Sequence, residues 1–307
     1  MKDINAIRAL LSRPQGAVLA VIVGVDGPSY RPVGAMMTIF GENDFTGSLS
    51  SGCVEADLAL HARTSLRQGK PVIVRYGRGS QFIDIQLPCG GGLDIILLPN
   101  PDLAVLAQLD MNERQRKCCT LDIDIDSGAM ALGAPGYTQQ VRSKLSVEIT
   151  PEICIFAFGK GPEVNTFVAL AISAGYAAVL LSPDEETIAS AETLRCKKKK
   201  LVSKSFPDDL TVDDRSAIIL FFHDHDWEPE ILSGSLKTPA FYIGAQGSVS
   251  ARETRLATMR SMGIPDDQLE RLHGPVGLIP SVKDPTTLAV SVLAEIVGMA
   301  MQGVAPE

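Results

Sequence analysis

Ile153-Cys154-Ile155-Phe156-Ala157-Phe158-Gly159-Lys160-Gly161-Pro162-Glu163 is the stretch whose reading decides the fold. Six apolar residues in a row suit a strand buried on both faces. Two glycines one residue apart then mark a tight turn. Pro162 fits the first position of a helix, where its missing N–H costs nothing. The spacing predicts a helix over Glu163 to Ala174, then a second strand over Tyr176 to Leu181. Further strands are expected at Ser216 to Phe222 and Pro239 to Ile243, with helices at Ser248 to Met262 and Pro285 to Met301. Strands alternating with helices imply a parallel sheet with right-handed crossovers. Residues 151–307 therefore read as a Rossmann-like α/β domain.

Working outward, residues 1–145 have another texture and read as a small mixed α+β domain. Gly16 to Val25 is a nearly continuous apolar run, and Gly34 to Phe40 a second strand. Turns are expected at Asp26-Gly27-Pro28 and Gly41 to Asp44. Cys53 to Gln68 carries Val54, Leu58, Ala62 and Leu66 at helical spacing. Pro71 to Tyr76 and Gly92 to Leu98 read as strands, Pro101 to Gln115 as a helix, Thr120 to Asp126 and Val141 to Ile149 as strands, and Gly133 to Tyr137 as a turn. A boundary falls between about 140 and 151.

The chain has 307 residues, 45% of them apolar, and a formal net charge of -8. That balance argues against nucleic-acid binding, which needs clustered Lys and Arg. The run Lys197 to Lys200 reads as a solvated turn. No apolar stretch approaches the roughly 20 residues that span a bilayer, and the N-terminus lacks the apolar segment of a signal peptide. A cytoplasmic protein is expected. Its six cysteines are then free thiols by default, and Cys154 reads as core.

Four constellations could carry chemistry. Gly159-Lys160-Gly161 could bring backbone N–H groups and a helix dipole to a phosphate, or be a plain structural turn. Val164 stands where a third small residue belongs. Ser182 ends the second strand where a ribose-binding acid is usual, with Asp184 displaced, so ordinary NAD(P) use is in doubt. His223-Asp224-His225-Asp226 follows a strand, at the edge where open α/β sheets bind ligands. It could contact a ligand, hold a metal, or start a helix with Asp226 as its cap. Gly47 to Glu55 holds Cys53. If the helix begins at Cys53, the dipole lowers the thiol pKa; a small buried cysteine is the plainer alternative. Glu55 is expected to point away from that sulfur, towards Arg31 or a ligand. Cys89-Gly90-Gly91-Gly92 is either an anion-binding nest beside an accessible thiol or a hairpin turn.

Taken together these motifs resemble the XdhC/CoxI family of xanthine dehydrogenase accessory proteins. The resemblance rests on Arg31 to Met37, Gly47 to Glu55, Tyr76-Gly77 and Cys89 to Gly91 in the first half. In the second it rests on Phe158 to Gly161, Asp214-Arg215, His223 to His225, Tyr242 to Ala245, His273 to Leu278 and Ala289 to Ile296. It implies a cofactor-insertion factor more than a catalyst, working as a homodimer. Such a factor would bind molybdenum cofactor, as molybdopterin or its dinucleotide form, and hand it to an apo molybdenum hydroxylase, with a cysteine desulfurase as a further partner. Cys53, Cys89 and Glu55 become the candidate active residues, with Cys53 the contact to molybdenum. Arg31, Gly159, Gly161, His223, Asp224, His225 and Gly244 become the cofactor-binding candidates. Ser51 departs from the family pattern, as do Val249 and Ser250, which stand where adjacent arginines are common. The rival readings are an NAD(P)- or flavin-dependent oxidoreductase, and a metal-dependent hydrolase built on His223 and His225.

Overall fold

The computed structural model describes residues 3–50, 52, 54–80, 87–88 and 90–302. They divide into two units, Met1–Pro151 and Glu152–Glu307.

The first unit runs α1 (Asp3–Ser12), β1 (Val18–Asp26), β2 (Met36–Gly41), β3 (Asp44–Gly47), α2 (Glu55–Gln68), β4 (Val72–Gly77), β5 (Gly92–Pro99), α3 (Leu103–Arg114), β6 (Cys119–Asp124), β7 (Met130–Gly133), β8 (Gln139–Val141) and β9 (Lys144–Ile149). Two sheets form, ordered β3-β2-β1-β5-β4 and β7-β6-β9-β8. All their pairings are antiparallel. The continuous apolar run in β1 has a simple cause, because both of its faces are covered. Val18, Ala20 and Ile22 pack with Leu58, Ala59 and Ala62 of α2. Leu19, Val21 and Val23 pack with α1, α3 and the second sheet, through Ile7, Leu106, Leu121 and Leu145.

The second unit runs β10 (Cys154–Gly159), α4 (Pro162–Ser173), β11 (Ala177–Ser182), α5 (Glu185–Ser190), β12 (Lys197–Lys200), β13 (Ser216–Phe221), α6 (Glu228–Ser235), β14 (Tyr242–Ala245), α7 (Val249–Ser261), α8 (Asp266–Leu269), β15 (Leu272–His273) and α9 (Pro285–Gln302). The six strands are parallel, ordered β12-β11-β10-β13-β14-β15. Alternate residues of β10 feed two cores. Ile155 and Ala157 join Phe167 of α4 and Val292 of α9 on one face. Phe156 and Phe158 join Ile231 of α6 and Met259 of α7 on the other. Burying each such Ile or Phe side chain contributes about 1.5–3 kcal/mol.

Several expectations change. Val141 to Ile149, read as one strand, is the end of β8 and the whole of β9, paired antiparallel across a tight turn. Helix α2 starts at Glu55, with Val54 as its N-cap, and not at Cys53. Lys197 to Lys200 forms the edge strand β12, paired in parallel with Val179 to Ser182. An edge made of lysines resists pairing with a further strand, which accounts for so polar a strand. Strand β14 begins at Tyr242 because Pro239 has no N–H to give the ladder; Phe241 supplies the first bond, to the Ser216 carbonyl. Cys154 is half-buried against the second core and is not fully enclosed.

Candidate functional site

Strands β10 and β13 are neighbours in parallel register, with Gly159 opposite Phe221. The loops that follow them must therefore leave the same edge of the sheet. That edge brings Gly159-Lys160-Gly161 and His223-Asp224 together. Lys160 Nζ lies 3.3 Å from Asp224 Oδ2, and His223 Nε2 lies 3.2 Å from Glu163 Oε1 in the first turn of α4. The Asp226 amide and Lys160 hold the Asp224 carboxyl below its ordinary pKa. Three buried acceptor atoms along this edge have no donor among the described residues: Glu163 Oε2, Asn165 Oδ1 and Gln246 Oε1.

In the glycine turn itself the Gly161 amide is already spoken for. Gly161 is the N-cap of α4, with φ at +86°, a conformation that favours glycine. Its N–H donates to Thr187 Oγ1 at 2.8 Å. The Thr187 hydroxyl donates in turn to Asp184 Oδ2 at 2.6 Å, and the Thr187 amide donates to the same oxygen at 2.8 Å. Asp184 thus caps α5, and these bonds from Thr187 hold its pKa down. It is spent on the fold, and Ser182 is fully buried, so β11 ends without a carboxylate aimed at a ribose. Val164 is buried against the sheet, which explains an apolar side chain where dinucleotide folds favour a small one.

The His/Asp tetrapeptide splays in two directions. Asp224, and not Asp226, is the cap: it accepts the Asp226 amide and starts a 3-10 turn over His225–Trp227. His225 Nδ1 lies 3.1 Å from Glu228 Oε2. Glu228 in turn accepts two hydrogen bonds from the buried Arg255 of α7, at 2.8 and 3.1 Å. Trp227 stacks on Phe222 with ring centroids 6.0 Å apart, tying the turn to the sheet. Gly244 lies in mid-sheet between Ile219 and His273. A side chain there would strike the Tyr242 ring at 2.7 Å, so the glycine makes room for an aromatic. Tyr242 stacks on His273 at 4.8 Å. Burial and the nearby Glu295 carboxylate push the Tyr242 hydroxyl pKa up.

In the first unit Glu55 is fully engaged, and not with the partners expected of it. Arg31 pairs with Asp3 at 2.5 Å. The Glu55 carboxylate instead accepts from the Ser48 and Ser50 hydroxyls and from the amides of Leu49, Ser50 and Val54. Burial opposes ionisation, but the bonds from Ser50, Ser48 and Leu49 outweigh it and hold the pKa at about 2. Cys53 and Cys89 lie outside the described residues. Of the glycines after Cys89, Gly91 has a clear reason. A Cβ there would stand 2.1 Å from the Pro28 carbonyl oxygen, so two backbones cross where only glycine fits. Among the described residues no cluster of three or more His, Cys, Asp or Glu could hold a metal ion. No described helix is long and apolar enough to cross a membrane.

Residues 155–296 match the model of the XdhC Rossmann domain, and residues 10–77 match that of the XdhC and CoxI family. An Escherichia coli (strain K12) protein named molybdenum cofactor insertion chaperone PaoD is 31% identical over 296 residues, spanning 95% of this chain and 85% of that protein. The chain belongs to the XdhC and CoxI family. A Bacillus subtilis (strain 168) protein, named as a probable subunit of xanthine dehydrogenase, is 24% identical over 324 residues, spanning 94% of each chain. A crystal structure from Bacillus halodurans, described as a xanthine dehydrogenase, shares the fold with a TM-score of 0.79. It matches 100% of this chain and 98% of its own at 23% identity.

In this XdhC and CoxI chain, Ser248 caps α7 and accepts the Ala251 amide at 3.1 Å. Val249 and Ser250 occupy the first turn, so no basic side chain stands at those two positions. Arg255, three residues past Arg252, is committed to Glu228. Three participants at the sheet edge are not evident from the sequence: Glu163, Thr187 and Arg255. Thr187 has a local signal, since Asp184 three residues ahead of it is a recognisable N-cap. The partners of Glu163 and Arg255 lie 60 and 27 residues away in the chain and leave no local signal.

Proposed function

We propose that this chain binds molybdenum cofactor and passes it to a molybdenum hydroxylase of the xanthine dehydrogenase type. The observation that carries the reading is family membership together with 31% identity, over nearly the whole chain, to a protein named as a molybdenum cofactor insertion chaperone. The cofactor is cargo here. Its pterin ring carries N–H donors, and the sheet edge offers acceptors without donors in Glu163, Asn165 and Gln246. Gly159, Gly161, His223 and Asp224 flank that edge, with His225 and Gly244 behind it. Lys160 is the cation available to an anionic group of the cargo, once it exchanges Asp224 for that group.

In the first unit, the Glu55 carboxylate gathers Ser48, Leu49, Ser50 and Val54. On the family reading, Cys53 is assigned as the soft ligand facing molybdenum, with Cys89 as the second thiol and Arg31 as a further cofactor-binding residue. Work in the cytoplasm, with sulfur arriving from a cysteine desulfurase, completes the reading. A homodimer is supported by α9. Its residues Thr286, Val290, Ala294, Gly298 and Met301 repeat at helical spacing and carry no charge. Light scattering of the purified chain tests that part.

The test of binding is anaerobic incubation with molybdenum cofactor, gel filtration, and metal analysis of the protein peak. About one molybdenum per chain is expected. Molybdenum absent from that peak refutes the reading.

A further inference from the structure

We infer that Thr187 is a selectivity gate, its hydroxyl closing the glycine turn of the second unit against the pyrophosphate of a dinucleotide. A Rossmann turn holds pyrophosphate by pointing free backbone N–H groups at it from a helix N-terminus. Here the Gly161 N–H is already given to Thr187 Oγ1 at 2.8 Å. Pro162, next in the chain, has no N–H at all. The Thr187 hydroxyl spends its own proton on Asp184 at 2.6 Å, so it meets an incoming phosphate with lone pairs only. Thr187 is 2% exposed and cannot swing aside without opening the start of α5.

Charge acts in the same direction. Glu163, Asp184 and Asp224 border the turn, and the nearby Lys160 is engaged by Asp224. The glycines thus keep the geometry of a phosphate turn while the chain's own hydroxyl occupies the Gly161 donor. Nicotinamide and flavin dinucleotides, abundant in any cell, are kept from an edge reserved for another ligand.

The inference bears on the cargo proposed above, since a dinucleotide form would bring the same pyrophosphate to the turn and only molybdopterin itself would pass the gate; it is read with ADP-ribose and not with molybdenum, so the two can fail separately. Calorimetry on the full chain should show no binding of ADP-ribose by the wild type in the micromolar range. Thr187→Ala frees the Gly161 N–H and leaves space for an oxygen, and should bind ADP-ribose at least about tenfold more tightly, roughly 1.4 kcal/mol. Thr187→Ser keeps the hydroxyl and should behave as wild type. Thr187→Val removes the hydroxyl but fills its space, and should gain nothing. Micromolar binding by the wild type, or no gain in Thr187→Ala, overturns the gate. A second measurement needs no variant. The Gly161 amide should exchange slowly with solvent in the wild type, at a rate unchanged by ADP-ribose. Fast exchange, or protection conferred only by ADP-ribose, overturns it equally.

Discussion

Lys160 and Asp224 meet at 3.3 Å although 64 residues separate them in the chain. The pairing makes one site edge from the loop after β10 and the loop after β13. It also sets a balance, because Asp224 holds the cation that an anionic cargo would need.

Lys160→Glu turns that attraction into repulsion and adds a carboxylate to an edge already rich in them. It is expected to lower affinity for molybdenum cofactor by about tenfold or more, with circular dichroism unchanged. Asp224→Asn releases Lys160 and is expected to keep or improve binding. Retention of molybdenum after anaerobic gel filtration reads both. Equal retention in Lys160→Glu and wild type would remove the sheet edge from the binding site.

Glu55 ties pH to stability. Its folded pKa, about 2, lies below the ordinary 4.5. Its contribution is complete above pH 4.5 and fades as pH falls from 4.5 towards 2. The difference corresponds to roughly 3 kcal/mol at neutral pH. Glu55→Gln should therefore lower stability by about 2–3 kcal/mol at pH 7, with the gap to wild type closing towards pH 2. Urea denaturation across that range checks it; a gap that does not depend on pH contradicts the hydrogen-bonded carboxylate.

How much of this is legible in sequence depends on how local each feature is. The β10-turn-α4 unit can be read because its apolar run, its glycines and Pro162 are contiguous. The apolar run of β1 is visible, but not its cause, since α1 and α2 cover opposite faces from distant parts of the chain. Lys197 to Lys200 reads as a turn and forms a strand, because pairing with β11 overrides the preference of lysine for solvent. Asp224 takes the capping role expected of Asp226 because the helical turn starts earlier than the tetrapeptide suggests. The loops after β10 and β13 reach one edge by topology alone. The closure of Gly161 by Thr187 crosses 26 residues and can be seen only once the chain is folded.

Arg255 and Glu228 are both nearly fully buried. Arg255→Met leaves the Glu228 carboxylate in the core with His225 as its remaining described side-chain partner, and should cost about 3–5 kcal/mol. Replacing both, as Arg255→Met with Glu228→Gln, should cost less than Arg255→Met alone. Thermal unfolding of the three proteins tests the coupling; a double variant less stable than Arg255→Met contradicts it.

Cys53 and Cys89 are assigned to the cargo by the family reading. Cys53→Ser is expected to lose most bound molybdenum while the unfolding temperature stays within about 2 °C, less than a change of about 1 kcal/mol in stability would give. Cys89→Ser should lose less. Full retention in Cys53→Ser would move the metal contact elsewhere.

The most direct measurement of the central claim is transfer. The chain is loaded with molybdenum cofactor without oxygen, freed of unbound cofactor, and mixed with an apo molybdenum hydroxylase of the xanthine dehydrogenase type. The account predicts that molybdenum leaves the chain, appears in the hydroxylase and restores its activity faster than the same amount of free cofactor does. Activation no better than with free cofactor, or molybdenum that never leaves the chain, would contradict it.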